Sequence, residues 1–395
     1  MRVAIAGCGN IAGPYAATLV AYPETRLVGV ADLDPARARA LADAHDCRAY
    51  ESLEALLADP EVDVVVNLTV HTAHFAVTKA ALGAGKHVYS EKPLALTPGE
   101  ARELVALASA RGLRLACSPF TFLGAAQQAA WGAVLSGRLG TVRLAYAEVN
   151  WGRIESWHPD PEAFYAVGAL WDVGVYPLAL LTAMFGPARR VSAYGRVLKP
   201  ERRTRDGAAF TVATPDFVTA AVELEGGVLV RLTTNFYVGH HGKQRGVELH
   251  GDLGSLYLAS WQEPNSAVEV AEFGGAYEPL GDFSGERMRW GDGVRELALA
   301  LLEGRPHRVT GEHAAHVVDV LHAVATALAE EDRIVRAGLT HWLASAQHAD
   351  TVRTDVSADR LARWVMLMVD GSYAYDPALN RSARAAAECW VKNHG

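Results

Sequence analysis

Cysteine is scarce: four residues in 395 (Cys8, Cys47, Cys117 and Cys389) stand far apart, with no CxxC pair. That spacing excludes a disulfide framework and a cysteine zinc site, and it suits a reduced, cytoplasmic chain. A basic run is missing too. Lys and Arg number 37 against 45 Asp and Glu, a formal charge of −8. Nucleic acid, whose phosphates must be neutralised, is therefore a poor partner. The most apolar stretch, Val167 to Phe185, is interrupted by Asp172 and Pro177, which argues against a membrane span. The N-terminus runs straight into Arg2-Val3-Ala4-Ile5-Ala6, leaving no room for a secretory leader. There is no internal repeat and no low-complexity tract. Half of the residues are apolar and 21% are charged, which fits a globular chain with a large core and excludes wholesale disorder.

Up to about residue 118, short β-branched runs alternate with longer amphipathic ones. Val3–Ala6, Leu27–Ala31, Val62–Leu68, His87–Ser90 and Leu113–Cys117 read as strands. Ile11–Ala21, Pro35–Ala44, Ser52–Ala58, Ala73–Gly85 and Pro98–Arg111 read as the helices between them. Asp34-Pro35 and Thr97-Pro98 are helix starts, and Gly85 and Gly112 are stops. Such alternation predicts an α/β, doubly wound Rossmann domain with a parallel sheet over residues 1–118. From 119 to 336 strand-like runs dominate, separated by hairpin signals such as Glu225-Gly226-Gly227. They predict an α+β domain on a large, mostly antiparallel sheet, with helices over Phe122–Ser136, Asp172–Phe185, Gly293–Glu303 and Glu312–Asp332. Residues 337–395 read as a helical extension, with helices over Ala358–Val369 and Ser382–Val391.

Gly7-Cys8-Gly9-Asn10-Ile11-Ala12 follows the first strand and opens the first helix. Gly7 permits a tight turn, Gly9 lets a pyrophosphate approach the backbone, and Ala12 lets the helix pack on the sheet. The run Leu27-Val28-Gly29-Val30-Ala31-Asp32 then ends in an acid suited to the adenosine ribose hydroxyls. A carboxylate there repels a 2′-phosphate, and Leu33 follows it, so NAD is favoured over NADP. Arg37 and Arg39 lie close enough to keep NADP in play.

Glu91-Lys92-Pro93 sits just past the strand His87–Ser90, at the carboxyl edge where open α/β sheets bind ligands. A lysine before proline has extended backbone bias and can be aimed into a cleft, although a lone loop lysine is usually a solvated one. Taken together, Gly7–Ala12, Thr69-Val70-His71-Thr72-Ala73-His74 and Ala84-Gly85-Lys86-His87-Val88 leading into Glu91-Lys92-Pro93 resemble the glucose–fructose oxidoreductase / inositol dehydrogenase (Gfo/Idh/MocA) family. The resemblance spans roughly residues 1–336. It implies that Lys92 lies near the nicotinamide and the substrate hydroxyl, and that Thr69, His71, His74 and Glu91 line the cofactor cleft; read from its position alone, His74 is equally a helix-start residue bonded to backbone.

A second mark of that family is Asp172-Val173-Gly174-Val175-Tyr176. Spacing of four puts Asp172 and Tyr176 on one helix face, able to address one small ligand. The plainer alternative makes Asp172 a helix cap and Tyr176 a core residue. The Tyr version resembles relatives that oxidise aldoses or dihydrodiols. Two departures stand out: the glycines before this element are reduced to Ala166-Val167-Gly168, and Pro177 removes one helical donor, so the helix must start late or kink.

The chemistry so implied is hydride transfer between a nicotinamide and a hydroxyl or carbonyl carbon of a sugar, polyol or cyclitol. Oxidation needs a base, and a phenol serves only if a neighbouring ammonium lowers its pKa, a role open to Lys92 beside Tyr176. Whether Lys92 or Tyr176 takes the proton stays open. Trp151, Arg153, Trp157 and His158 are candidates for the substrate side, since carbohydrate sites pair an aromatic platform with a few polar groups. His240 and His241 are adjacent and would point apart on a strand, so no catalytic metal is expected. Two alternatives share the fold: a glycosidase-type enzyme that oxidises its substrate transiently with tightly bound NAD, and a non-enzymatic cofactor sensor. The resemblance also implies a homodimer or homotetramer. The cofactor reading has a direct measurement, the ratio of kcat/KM for NAD to that for NADP. The expected ratio exceeds one, and a strong NADP preference overturns the role given to Asp32.

Overall fold

The structure, a computed structural model, describes residues 1–239, 241–348 and 356–362. His240, most of the expected helix Ala358–Val369 and all of Ser382–Val391 lie outside the described residues. No described helix is long and apolar enough to cross a membrane.

The first domain begins with β1 (Arg2–Ala6), α1 (Ala12–Leu19), β2 (Arg26–Ala31), α2 (Pro35–Ala44), β3 (Arg48–Ala49) and α3 (Leu53–Ala58). It continues through β4 (Val64–Asn67), α4 (His74–Gly83), β5 (His87–Ser90), α5 (Pro98–Ala110) and β6 (Leu115–Cys117). The strands form one parallel sheet in the order β3-β2-β1-β4-β5-β6. The strand order reverses between β1 and β4, and in open sheets of this kind the ligand crevice lies at the carboxyl ends of the strands at that point. Every residue of β4, Val-Val-Val-Asn, is buried, as expected for a central strand covered on both faces. Helix starts follow their local signals. The Asp34 side chain accepts from Ala36 N at 2.9 Å, and Thr97 and Glu100 form a reciprocal capping box.

The second domain opens with α6 (Ala125–Leu135), β7 (Val142–Asn150), α7 (Glu162–Val167) and α8 (Val175–Phe185). β8 (Ala188–Arg196), β9 (Glu201–Arg203), β10 (Ala209–Thr211), β11 (Phe217–Leu224) and β12 (Leu229–Asn235) follow. β13 (Gly246–Gly251), β14 (Gly254–Leu258), β15 (Val268–Glu272) and β16 (Glu278–Pro279) complete an eight-stranded sheet, from which only the β9–β10 hairpin stands apart. All its neighbours are antiparallel except β12 and β7. The hairpin is pinned by buried Arg202, which reaches Glu155 Oε1 at 2.8 Å and also Asp216.

The chain then returns to the first domain. α9 (Asp292–Glu303) docks on the end of α1 through Tyr22 to Asp292 and Arg295 to Glu24 at 2.9 Å. Gly293 lies against the Tyr89 ring, where an added Cβ would come within 2.4 Å of the hydroxyl. α10 (Gly311–His348) packs against α5 of one domain and β8 of the other. Its sequence reading stopped at Asp332 and set a boundary at 336, but the helix runs on. The charged run Glu330-Glu331-Asp332-Arg333 is rich in good helix formers and carries no stop. β3 and α7, two and six residues long, were not foreseen because such short elements leave little periodicity.

Glu296 on α9 is only 4% exposed and accepts from Arg305 at 2.8 Å and Arg308 at 2.9 Å. Burial opposes its ionisation, but the two guanidinium groups prevail and bring its pKa down to about 2. A carboxyl depressed on folding contributes stability above its unfolded pKa and loses it as pH falls through the folded one. Glu296→Gln should therefore cost about 3 kcal/mol at pH 7, and much less near pH 2, measured by denaturant unfolding at both values.

Candidate active site

The β1–α1 turn is shaped by two glycines for different reasons. Gly7 has φ +97°, and a Cβ there would meet the backbone of Leu68 and Thr69 at 2.8 Å. Gly9 is the opposite case: a Cβ would meet nothing within 4 Å, so the turn is bare on its outer side. Asn10 is exposed beside it, and Ile11 caps α1 without any side-chain hydrogen bond, leaving the helix-start N–H groups free of side-chain caps. Ala12 is buried against the sheet. Asp32, at the end of β2, accepts from Cys8 N at 2.6 Å and Asp34 N at 2.8 Å, which fixes its carboxylate beside the glycine turn. A bare backbone, an uncapped helix start and an anchored acid fit a dinucleotide.

Across the crevice, the Lys92 ammonium meets Asp172 of the second domain, at 2.6 Å to its backbone oxygen and 2.9 Å to Oδ1. The same nitrogen lies 5.2 Å from the centre of the Tyr176 ring. The structure thus brings Lys92, Asp172 and Tyr176 together from two domains. Asp172 lies in a π-helical turn, Leu170–Gly174, that feeds directly into α8. Pro177 consequently falls in the first turn of α8, where a missing N–H costs little, and the expected kink is absorbed by the π-turn. The Ala166-Val167-Gly168 stretch forms the end of α7, with Gly168 at φ +83° stopping it.

The residues around this centre divide into those that face it and those that support it. His71 is half-buried near Lys92 and Asp172, and burial followed by the nearby His74 and Lys92 lowers its pKa. His74, expected along the cleft, is instead a buried strut. Its ring nitrogens lie 2.7 Å from Pro93 O and 3.0 Å from Thr69 O, so both are occupied by backbone. The Thr69 hydroxyl is spent on Asn67 Oδ1 at 2.7 Å. Glu91 was also expected to line the cleft. Its carboxylate points into a buried network, accepting from Tyr15 at 2.6 Å, Ser118 at 2.9 Å and Lys92 N at 3.0 Å.

Burial drives the Tyr176 phenol up to about 12, and the opposing charge of Lys92 is too small to reverse this. Lys92 does act to lower the phenol, but desolvation outweighs one ammonium that Asp172 already neutralises, so the net shift is upward. Burial pushes Lys92 down, but Tyr176 and Asp172 more than compensate, and its ammonium is held above the ordinary lysine range.

Of the substrate-side candidates, Trp151 joins the centre indirectly. Its ring lies 5.9 Å from Trp261, which in turn stacks on Tyr176 at 5.0 Å. Trp261 escaped the sequence reading because it sits in a turn without any motif. Trp157 is 45% exposed and packs edge-on against Phe164 and His158. His158 Nδ1 lies 2.7 Å from Asp160 O, and Arg153 covers the Tyr237 ring at 4.5 Å. Among the described residues these three make no hydrogen bond, ion pair or ring contact with Lys92, Asp172 or Tyr176. Also among the described residues, no three His, Cys, Asp or Glu side chains group as metal ligands.

A doubly wound sheet with a glycine turn, faced by a second-domain acid and phenol, defines an NAD(P)-dependent oxidoreductase of the two-domain kind. Within that class the chain belongs to the Gfo/Idh/MocA family. Residues 1–118 match the family model for an oxidoreductase family with NAD-binding Rossmann fold, and residues 128–257 match the GFO/IDH/MocA C-terminal domain. The chain is 32% identical over 231 residues to the trans-1,2-dihydrobenzene-1,2-diol dehydrogenase of Bos taurus, covering 58% of this chain and 66% of that protein. It is 33% identical over 262 residues to the dTDP-3,4-didehydro-2,6-dideoxy-alpha-D-glucose 3-reductase of Streptomyces violaceoruber, covering 65% of this chain and 72% of the relative. Among solved structures, a 3-ketoreductase from Actinomadura kijaniata in complex with NADP and TDP-benzene matches with a TM-score of 0.67 at 26% identity. That match covers 83% of this chain and 97% of the ketoreductase.

The two glycines should separate folding from binding. Gly9→Val is expected to change unfolding free energy by less than about 1 kcal/mol, since nothing surrounds the added atoms. The same variant should weaken NAD(P) binding roughly tenfold or more, measured by titration calorimetry.

Proposed function

We propose that the chain is an NAD(P)-dependent dehydrogenase or reductase acting at a hydroxyl or carbonyl carbon of a small sugar, polyol or cyclitol, in the cytoplasm. The observation that carries this reading is the 2.9 Å contact between Lys92 and Asp172, made beside Tyr176 and across the crevice that the glycine turn opens. Gly7, Gly9, Asn10, Ile11, Ala12 and Asp32 would hold the dinucleotide, with His71 near its nicotinamide end. Asp32, followed by the exposed Leu33, favours NAD. When bound, the dinucleotide supplies the acceptor or donor of hydride.

The protein's part is to hold an oxygen and manage its proton. An ammonium has three N–H groups, and Asp172 takes two from Lys92 through its backbone and side-chain oxygens. The third is left for the Tyr176 hydroxyl or for a substrate oxygen that takes its place. Because the phenol is up near 12 and the ammonium is raised, both groups carry their protons at neutral pH. They would stabilise negative charge developing on a carbonyl oxygen; in the other direction one of them must first release its own proton to solvent before it can receive the hydroxyl proton. Trp151, Trp157, Arg153 and His158 are read as the outer, substrate-facing wall. Self-association into a homodimer or homotetramer through the half-exposed face of the large sheet belongs to the same reading.

Turnover is tested by absorbance of reduced nicotinamide across a panel of aldoses, polyols and inositols. With the best substrate, Lys92→Met should lower kcat by roughly three orders of magnitude while leaving NAD(P) affinity within about threefold of wild type. A fully active variant overturns the mechanism.

A further inference from the structure

A small cavity lies behind Tyr176, bounded by Glu91, Ser118, Thr121, Gln262 and Trp290. Its volume of ≈ 20 Å³ has room for one water or one hydroxyl group, and none for a second ring. Its polar lining is unevenly spent. Glu91 and Ser118 satisfy one another at 2.9 Å. Thr121 does not share in this: it is 5% exposed, and its hydroxyl oxygen has no hydrogen-bond partner. An orphaned buried hydroxyl is rare, because it forfeits hydration without a replacement. Gln262 is similar. Its backbone N–H is bonded to Ser260 Oγ at 3.1 Å, while its side-chain amide makes no hydrogen bond to any described residue.

The wall opposite is fixed. Trp290 packs on Tyr15 with ring centres 5.9 Å apart, and Tyr15 is itself bonded to Glu91. The cavity is therefore bordered by rigid groups, and its two unspent polar side chains come from different segments, before α6 and after β14. A hydroxyl offers one donor and two acceptors, and an amide offers both kinds, so together they can satisfy an alcohol completely.

We propose that Thr121 and Gln262 form a hydroxyl-reading subsite, which takes the hydroxyl on the carbon next to the reacting one. The ligand class is a vicinal diol within a carbohydrate or cyclitol. This rests on the reading of Lys92 and Tyr176 as the reacting centre, because the cavity borders Tyr176 and holds a single oxygen. A substrate without the second hydroxyl leaves the Thr121 hydroxyl buried and unpaired, which is how such sites discriminate.

The test is equilibrium binding to the full chain in the presence of NAD, read by tryptophan fluorescence, for trans-cyclohexane-1,2-diol against cyclohexanol. Wild type should prefer the diol by roughly tenfold or more. Thr121→Val and Gln262→Leu should each reduce the preference to roughly threefold or less, and Thr121→Ser should keep it. A wild type that binds both probes alike overturns the subsite, as do Val and Leu variants with the wild-type ratio. Turnover of the same probes is scored separately. A diol preference that depends on Thr121 in a protein that oxidises nothing upholds the subsite and removes the redox reading instead.

Discussion

One ion pair organises this molecule: Lys92 of the first domain held on Asp172 of the second, 80 positions along the chain. Both side chains are largely withdrawn from water, at 15% and 17% exposure. Such a pair gains little net stability from its own attraction, because each charge has lost hydration. It persists because the surroundings hold both partners in place. Removing either partner alone strands the other charge, at a cost on the order of 3–5 kcal/mol, so the two domains are coupled through the site itself.

The supports are traceable to named contacts. On the first-domain side, Glu91 accepts from the Lys92 backbone, and His74 braces Pro93 against Thr69. Glu91 is anchored in turn by Tyr15 of α1, so the lysine loop and the helix that would face the pyrophosphate share one buried carboxylate. On the second-domain side, Arg202 ties the β9–β10 hairpin to Glu155, and Glu155 also accepts from Tyr165 in α7, just ahead of the π-turn. α9 and α10 then close the assembly by crossing back over the first domain. The dinucleotide turn, the lysine loop and the acid–phenol pair are consequently parts of one packed unit.

Much of this was legible in the sequence where local chemistry decides geometry. Gly7 must be glycine because its φ is positive and its neighbour backbone is 2.8 Å from any Cβ, and the motif records that need directly. Asp34, Thr97 and Gly85 announce helix ends for reasons confined to one turn of chain. Asp172 and Tyr176 sit four apart, and a helical repeat suffices to place them side by side. What escaped is non-local. Trp261 reaches Tyr176, and Thr121 meets the same cavity, only after strands distant in sequence have paired, so no spacing rule points to either. His74 takes the backbone-bonded role that its place at a helix start allowed, and Glu91 borders the Tyr176 cavity from within a buried network. Their types suit a cleft, and only the packing shows their polar atoms spent on backbone and on buried hydroxyls.

The Tyr176 phenol carries the most chemistry. An ammonium beside a tyrosine can draw the phenol toward ionisation, yet the same fold that brings Lys92 near also packs the ring against Trp261 and pairs the lysine with Asp172. The ammonium's field is largely cancelled by the carboxylate, while desolvation acts on the phenolate in full. The outcome is a centre that stores protons at neutral pH and keeps its net charge low. Such a centre is prepared for an oxygen that gains charge, as a carbonyl does on reduction. In the oxidative direction one of the same residues must first pass a proton outward. On the reading proposed above, the protonated state of Tyr176 follows from its desolvation, which the packing of the second domain around the ring sets.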